Sequence, residues 1–197
     1  MAPDDVVLRR RDDGALELRV NGVFVMDDVE STSERRLAEL VLERGARDVV
    51  VGGLGLGFTA RALLADEQVR RVLVAELHLA VASASEIDDP RLEVVIGDVR
   101  DLIAAQPDTS ADAVLLDVDN GPDSLVHPDN AAVYGGVFVA ECARVLRPGD
   151  TLAVWSMADA PALRATLETH LDHVETERVP VHLQGRGEAY WILSGRR

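Results

Sequence analysis

The stretch Val49-Val50-Val51-Gly52-Gly53-Leu54-Gly55-Leu56-Gly57-Phe58-Thr59-Ala60-Arg61-Ala62-Leu63-Leu64 decides the fold. A short, wholly apolar, β-branched run reads as a strand buried on both faces. Alternating glycines then interrupt it, and apolar residues resume at helical spacing. Bare backbone between a buried strand and a helix lets N–H groups approach a ligand at the carboxyl end of the strand. The spacing Gly53-x-Gly55-x-Gly57 lacks the final interval of the dinucleotide fingerprint, and no Gly-Lys-Ser/Thr follows, which excludes an ATP P-loop. A nucleotide-type ligand is therefore expected, and tight strand–helix packing is the competing explanation for the same glycines.

Outward from the loop, strand and helix alternate. Strands are predicted at Asp48-Val51, Arg71-Ala75, Leu92-Ile96, Ala113-Asp117 and Thr151-Trp155. Helices are predicted at Thr59-Leu64, Val81-Ser85, Arg100-Ala105, Val133-Val145 and Pro161-His170. This order implies a doubly wound, mostly parallel sheet. Two closing strands, Val174-Val181 and Ala189-Leu193, joined through Gln184-Gly185-Arg186-Gly187, read as an antiparallel edge. Upstream, Asn21-Gly22 between Leu16-Val20 and Val23-Val25 is a hairpin signal. A helix starts near Ser33, a candidate cap, carries Leu37, Leu40 and Val41 on one face, and stops at Gly45. Residues 1-30 are thus expected to form a β-hairpin arm, and residues 31-197 the main Rossmann-like domain.

Composition narrows the function. The 197 residues are 47% hydrophobic and 28% charged, with a formal net charge of −15 and a pI near 4.6. That charge works against nucleic acid, whose phosphates call for clustered basic residues, and tolerates a cationic small molecule. No apolar run is long enough to span a membrane, and the start has no signal-peptide character. Cys142 is the single cysteine, so no intramolecular disulfide can form, and a cytoplasmic location is expected. His170 and His173 are read as surface residues, and no metal site is expected.

Three acids follow successive strands: Glu76, Asp98 in Ile96-Gly97-Asp98-Val99, and Asp117 in Leu115-Leu116-Asp117-Val118-Asp119-Asn120. A carboxylate closing the second strand can accept hydrogen bonds from ribose hydroxyls, and one after the third can receive an adenine amino group.

Together with Arg144-Val145-Leu146-Arg147-Pro148-Gly149, these residues resemble the class I S-adenosylmethionine-dependent methyltransferase fold, and within it spermidine synthase and the related polyamine aminopropyltransferases. The resemblance covers roughly Val6 to Trp155 and implies a seven-stranded sheet behind the hairpin arm. It makes Gly53, Gly55 and Gly57 the loop around the cofactor's aminoacyl end, Glu76 the ribose ligand, and Asp98 with Val99 the adenine site. Asp117 becomes the acid that takes or directs a proton of the acceptor. Asp119, Asn120 and His127 are expected at the acceptor site, and a homodimer is expected.

The chain departs from that pattern in three places. The aminopropyltransferase loop Gly-Gly-Gly-Asp-Gly-Gly is here Gly52-Gly53-Leu54-Gly55-Leu56-Gly57, without an acid. The Asp-Ser-x-Asp-Pro motif appears as Asp117-Val118-Asp119-Asn120-Gly121-Pro122, and Thr32-Ser33-Glu34 stands for Tyr-His-Glu. With an apolar loop, methyl transfer from S-adenosylmethionine to a small acceptor is the first expectation. Aminopropyl transfer from the decarboxylated form to a diamine is the second. A noncatalytic adenosyl-ligand-binding protein is the third. The stretch from Glu76 to Arg91 is short for a crossover, which predicts a cleft open on that side or closed by a partner subunit.

Overall fold

A computed structural model describes residues 5–183 and 186–197. The arm comes first. Strands β1 (Val6–Arg10), β2 (Leu16–Val20) and β3 (Val23–Asp27) form a separate antiparallel sheet in the order β1-β2-β3. Asn21 and Gly22 both adopt positive φ at the β2–β3 turn, as a two-residue hairpin of that composition requires. Glu17 is buried in this sheet, where Arg9, Arg11 and Arg19 offset its charge.

The main sheet follows the expected alternation. In chain order it comprises α1 (Thr32–Leu42), β4 (Asp48–Gly52), α2 (Phe58–Leu64), β5 (Arg71–Glu76), α3 (Leu79–Ala84), β6 (Leu92–Ile96), α4 (Val99–Ala104) and β7 (Ala111–Leu116). It closes with α5 (Gly136–Val145), β8 (Leu146–Ser156), α6 (Pro161–Glu168), β9 (Asp172–Leu183) and β10 (Arg186–Arg196). The strand order is β6-β5-β4-β7-β8-β10-β9. Five strands run parallel, and β10 inserts antiparallel between β8 and β9, so the closing pair forms the expected antiparallel edge. Gln184 and Gly185 of its connection lie outside the described residues.

Val49, Val50 and Val51 of β4 and Val114, Leu115 and Leu116 of β7 are all buried, because helices cover both faces. On one face α1 and α2 pack Leu37, Val41 and Leu63 against the sheet. On the other, α4, α5 and α6 contribute Ile103, Val139 and Leu167. Cys142 lies inside that second layer, fully buried.

Two local expectations are corrected. The helix expected over 133–145 is split: a 3-10 turn spans Pro128–Tyr134, and Gly135 then adopts an extended conformation that starts α5 at Gly136. Consecutive glycines carry no side chain to hold the helix through that point. Ser33 does not cap α1. Its N-cap is Ser31, and Ser33 is buried within the first turn.

The short crossover is anchored by arginines. The Arg91 guanidinium donates to the carbonyls of Leu64, Asp66 and Val69, and Arg61 reaches the Ser85 carbonyl. The six residues of α3 leave Leu77, Leu79 and Ile96 exposed at the β6 edge. Among the described residues, no helix is long and apolar enough to cross a membrane.

Candidate functional site

In a doubly wound sheet the crevice opens where the strand order reverses, outside the carboxyl ends of the strands. Here that point lies between β4 and β7. The loop after β4 and the residues after β7 form its two lips; one backbone bond joins them, and a second ties the loop to β5. The Asp117 amide donates to the Gly52 carbonyl at 2.8 Å, and the Gly53 amide to the Ala75 carbonyl at 2.8 Å.

One cleft gathers most of the expected residues: Gly53 and Gly55 from the loop, Glu76 after β5, Asp98 and Val99 after β6, and Asp117 after β7, with Asp119, Asn120 and His127 beyond. Gly57 does not line it. Gly57 is the left-handed N-cap of α2, with Ile87 of the crossover beside it.

The two loop leucines turn away from the cleft. Leu54 packs into the core under α1 and α2, and Leu56 packs against Leu18 of the arm and Val81 of α3. Replacing a loop acid by leucine therefore changes what anchors the loop, while backbone still faces the ligand side. The arm's Met26 lies over this backbone, its Sδ accepting from the Leu56 amide at 3.2 Å.

Glu76 is 7% exposed and holds the loop from below. Its Oε2 accepts from the Leu54 amide at 3.0 Å and its Oε1 from the His78 amide at 2.9 Å. Asp98 caps α4 by accepting from the Arg100 amide at 2.7 Å, and its carboxylate also pairs with the Arg100 guanidinium at 2.6 Å. Arg100 therefore holds the Asp98 carboxyl below the usual range. Asp119, at φ +61°, is occupied by its own loop: it accepts from the amides of Asn120, Val126 and His127 and from Asn130 Nδ2. The rings of His127 and His78 lie 5.6 Å apart across the cleft floor.

The cleft also carries a residue that the expected set omits. Glu34, in the first turn of α1, is 7% exposed and lines the cleft with Asp117. Its Oε2 accepts from Ser33 Oγ at 2.8 Å, and Ser33 Oγ in turn accepts from Trp155 Nε1 at 3.0 Å. Thr59 Oγ1 donates to Asp117 Oδ2 at 2.7 Å. Burial, and then the Asp117 charge, push the Glu34 carboxyl up to about 7. Burial pushes Asp117 up to about 6, against the Thr59 hydrogen bond that lowers it. The sequence signal for Glu34 is its place at the end of Thr32-Ser33-Glu34, where the resembled family carries Tyr-His-Glu and this chain keeps only the glutamate.

A carboxyl raised in the folded state binds its proton more tightly there, so its burial is tolerated at low pH and becomes costly as pH rises from 4.5 through about 7. Glu34→Gln removes that cost. We expect the variant to gain on the order of 1–3 kcal/mol over the parent at pH 8 and little at pH 4.5, since a tenfold change in proton affinity is worth about 1.4 kcal/mol. Urea unfolding of both proteins at the two pH values measures this, and an equal gap at both would refute it.

Seven carboxylates line the cleft (Asp27, Glu30, Glu34, Glu76, Asp98, Asp117 and Asp119), and among its described lining residues there is no arginine. Such a surface attracts cations and repels anions.

No protein-family model matches the chain. It is 34% identical over 161 residues to a Mycobacterium tuberculosis protein named polyamine aminopropyltransferase, a match covering 76% of this chain and 30% of that protein. It is 31% identical over 156 residues to polyamine aminopropyltransferase 2 of Pseudomonas aeruginosa, covering 68% and 42%. Among solved structures, a spermidine synthase in complex with the transition-state analogue AdoDATO aligns with a TM-score of 0.81 at 14% identity, over 98% of this chain and 70% of that one. The chain spans less than half the length of these two curated relatives.

Proposed function

We infer, for a chain that is related in sequence to the polyamine aminopropyltransferases and carries the fold of spermidine synthase, a transferase that moves an aminopropyl group from decarboxylated S-adenosylmethionine to a small amine. The observation that carries this reading is the acid-lined cleft at the switch point, with a raised carboxyl, Asp117, on its β7 side. The expectation of methyl transfer rested on the apolar loop. It lacks support, because the relatives are named aminopropyltransferases and the loop leucines face the core.

Electrostatics points to the same donor. Intact S-adenosylmethionine would bring a carboxylate into a wall that already holds Asp27, Glu30 and Glu34. The decarboxylated form brings an ammonium, which those acids attract. Glu76 receives the ribose hydroxyls, and Gly53 and Gly55 leave backbone open to the sulfonium end.

The acceptor enters as an ammonium and is no nucleophile until it loses a proton. The Asp117 carboxylate takes that proton, and the freed nitrogen lone pair attacks the methylene next to sulfur. The carbon–sulfur bond breaks, its electrons stay on sulfur, and neutral methylthioadenosine leaves. Holding nitrogen, carbon and sulfur in line supplies much of the remaining acceleration.

Calorimetric titration with both donor forms, followed by a product assay with a panel of diamines, tests the reading. Tighter binding of the decarboxylated donor and a lengthened polyamine product are expected; a methylated product would overturn it. Glu76→Ala should weaken donor binding about 10- to 100-fold, the worth of one or two hydrogen bonds to a charged group. Unchanged affinity in the same titration would place the nucleoside elsewhere.

A further inference from the structure

Two carboxyls with raised proton affinity line the one cleft, and aminopropyl transfer through Asp117 uses one of them. Glu34 comes from the first turn of α1, and Asp117 follows β7. The N-terminal turn of α2 lies between the two segments: Thr59 Oγ1 donates to the Asp117 carboxylate at 2.7 Å and lies 3.4 Å from the Glu34 backbone carbonyl. Behind Glu34, the Trp155 indole and the Ser33 hydroxyl form a fixed donor chain that ends on its Oε2.

The charged and titratable groups facing Glu34 are Asp117, Glu30 ahead of α1, and Tyr190 of β10, whose phenol burial and then Glu34 push up to about 12. Tyr134 faces Asp117 from the 3-10 turn. Every carboxyl among these neighbours adds negative charge, so the wall resists holding two ionised carboxylates at once.

We propose that Glu34 and Asp117 form one carboxyl pair sharing a single proton, Glu34 being the positioning residue that keeps the proton while Asp117 presents its carboxylate to the acceptor amine. The role assigned to Asp117 rests on the aminopropyl-transfer reading; the shared proton does not. Each of the two accepts from a hydroxyl, and Glu34 is the more buried, at 7% exposed, while Asp117 is only partly covered. When one carboxyl must be neutral, Glu34 gives way, and Asp117 stays ionised without a second charge beside it. Such a pair loses its two protons in separate steps that belong to both groups.

The first experiment needs no substrate. Carboxyl-carbon NMR of the ligand-free protein is followed from pH 4 to pH 9 in the parent, Glu34→Gln and Asp117→Asn. The parent should show two linked steps above the usual carboxylate range. Glu34→Gln should lose the upper step, and Asp117→Asn should move the Glu34 midpoint down by about one pH unit. A Glu34 midpoint that ignores Asp117→Asn overturns the pair.

The second experiment follows kcat/KM for aminopropyl transfer against pH. Its acid limb should follow the lower step of the pair, and the profile should bend again at the upper step in the parent and in Glu34→Asp but not in Glu34→Gln. A Glu34→Gln profile scaled down evenly at every pH, with both ionisations kept, would mean a purely structural role and overturn the assignment. If the parent transfers no aminopropyl group, the functional reading fails, while the NMR titration still decides whether the proton is shared.

Discussion

Asp117→Asn should cut aminopropyl transfer by about 10²- to 10⁴-fold, the usual worth of a positioned general base, while donor affinity changes by no more than a few-fold. The side chain keeps its shape, and an amide oxygen can still accept from Thr59 Oγ1, so the lip of the cleft need not move. Only the capacity to take a proton is lost. The substitution also removes one of two desolvated charges, so the variant should unfold no more easily than the parent above neutral pH. Single-turnover product analysis with saturating donor separates this effect from binding. A variant that retains a tenth or more of the parental rate would show that the acceptor loses its proton elsewhere.

Gly53→Ala should be the most damaging substitution in the loop, costing about 3 kcal/mol or more. Gly53 sits at φ +86°, where an L side chain is strained by about 1–2 kcal/mol. A Cβ there would also lie 2.1 Å from the Asp117 carbonyl oxygen, a backbone atom fixed by β7. The loop and the Asp117 lip would have to separate, breaking the bond from the Asp117 amide to Gly52. For a chain of this size the loss corresponds to a fall of about 6–12 °C in Tm, with donor affinity falling in parallel. Thermal unfolding with and without donor measures both, and a drop below about 2 °C would mean that the close approach is not there. By contrast, a Cβ on Gly55 would share the strain of a positive φ, +51°, but would meet only the flexible Met26 thioether, which can shift.

The loop glycines serve different needs. Packing against Asp117 is reason enough for Gly53, and capping α2 is reason enough for Gly57. The open backbone that the cleft uses lies at Gly53 and Gly55.

Much of this was legible in the chain itself. A two-residue period in the arm, uninterrupted apolar runs at Val49–Val51 and Val114–Leu116, and a helical period between them name the faces that must be buried; those signals are local, because backbone geometry repeats locally. The same logic brings Glu76, Asp98 and Asp117 to one edge of the sheet, since each directly closes or follows a parallel strand. Tertiary structure alone decided what those acids do next. Asp98 is claimed by Arg100, and Asp119 by the amides of its own loop. Leu54 and Leu56 turn into two separate cores. Glu34, 83 positions before Asp117 in the chain, shares a desolvated wall with it. Periodicity records which side of an element avoids water. Which charges must then share the space left between elements is settled by packing, where proximity and loss of water act on residues with no common local pattern.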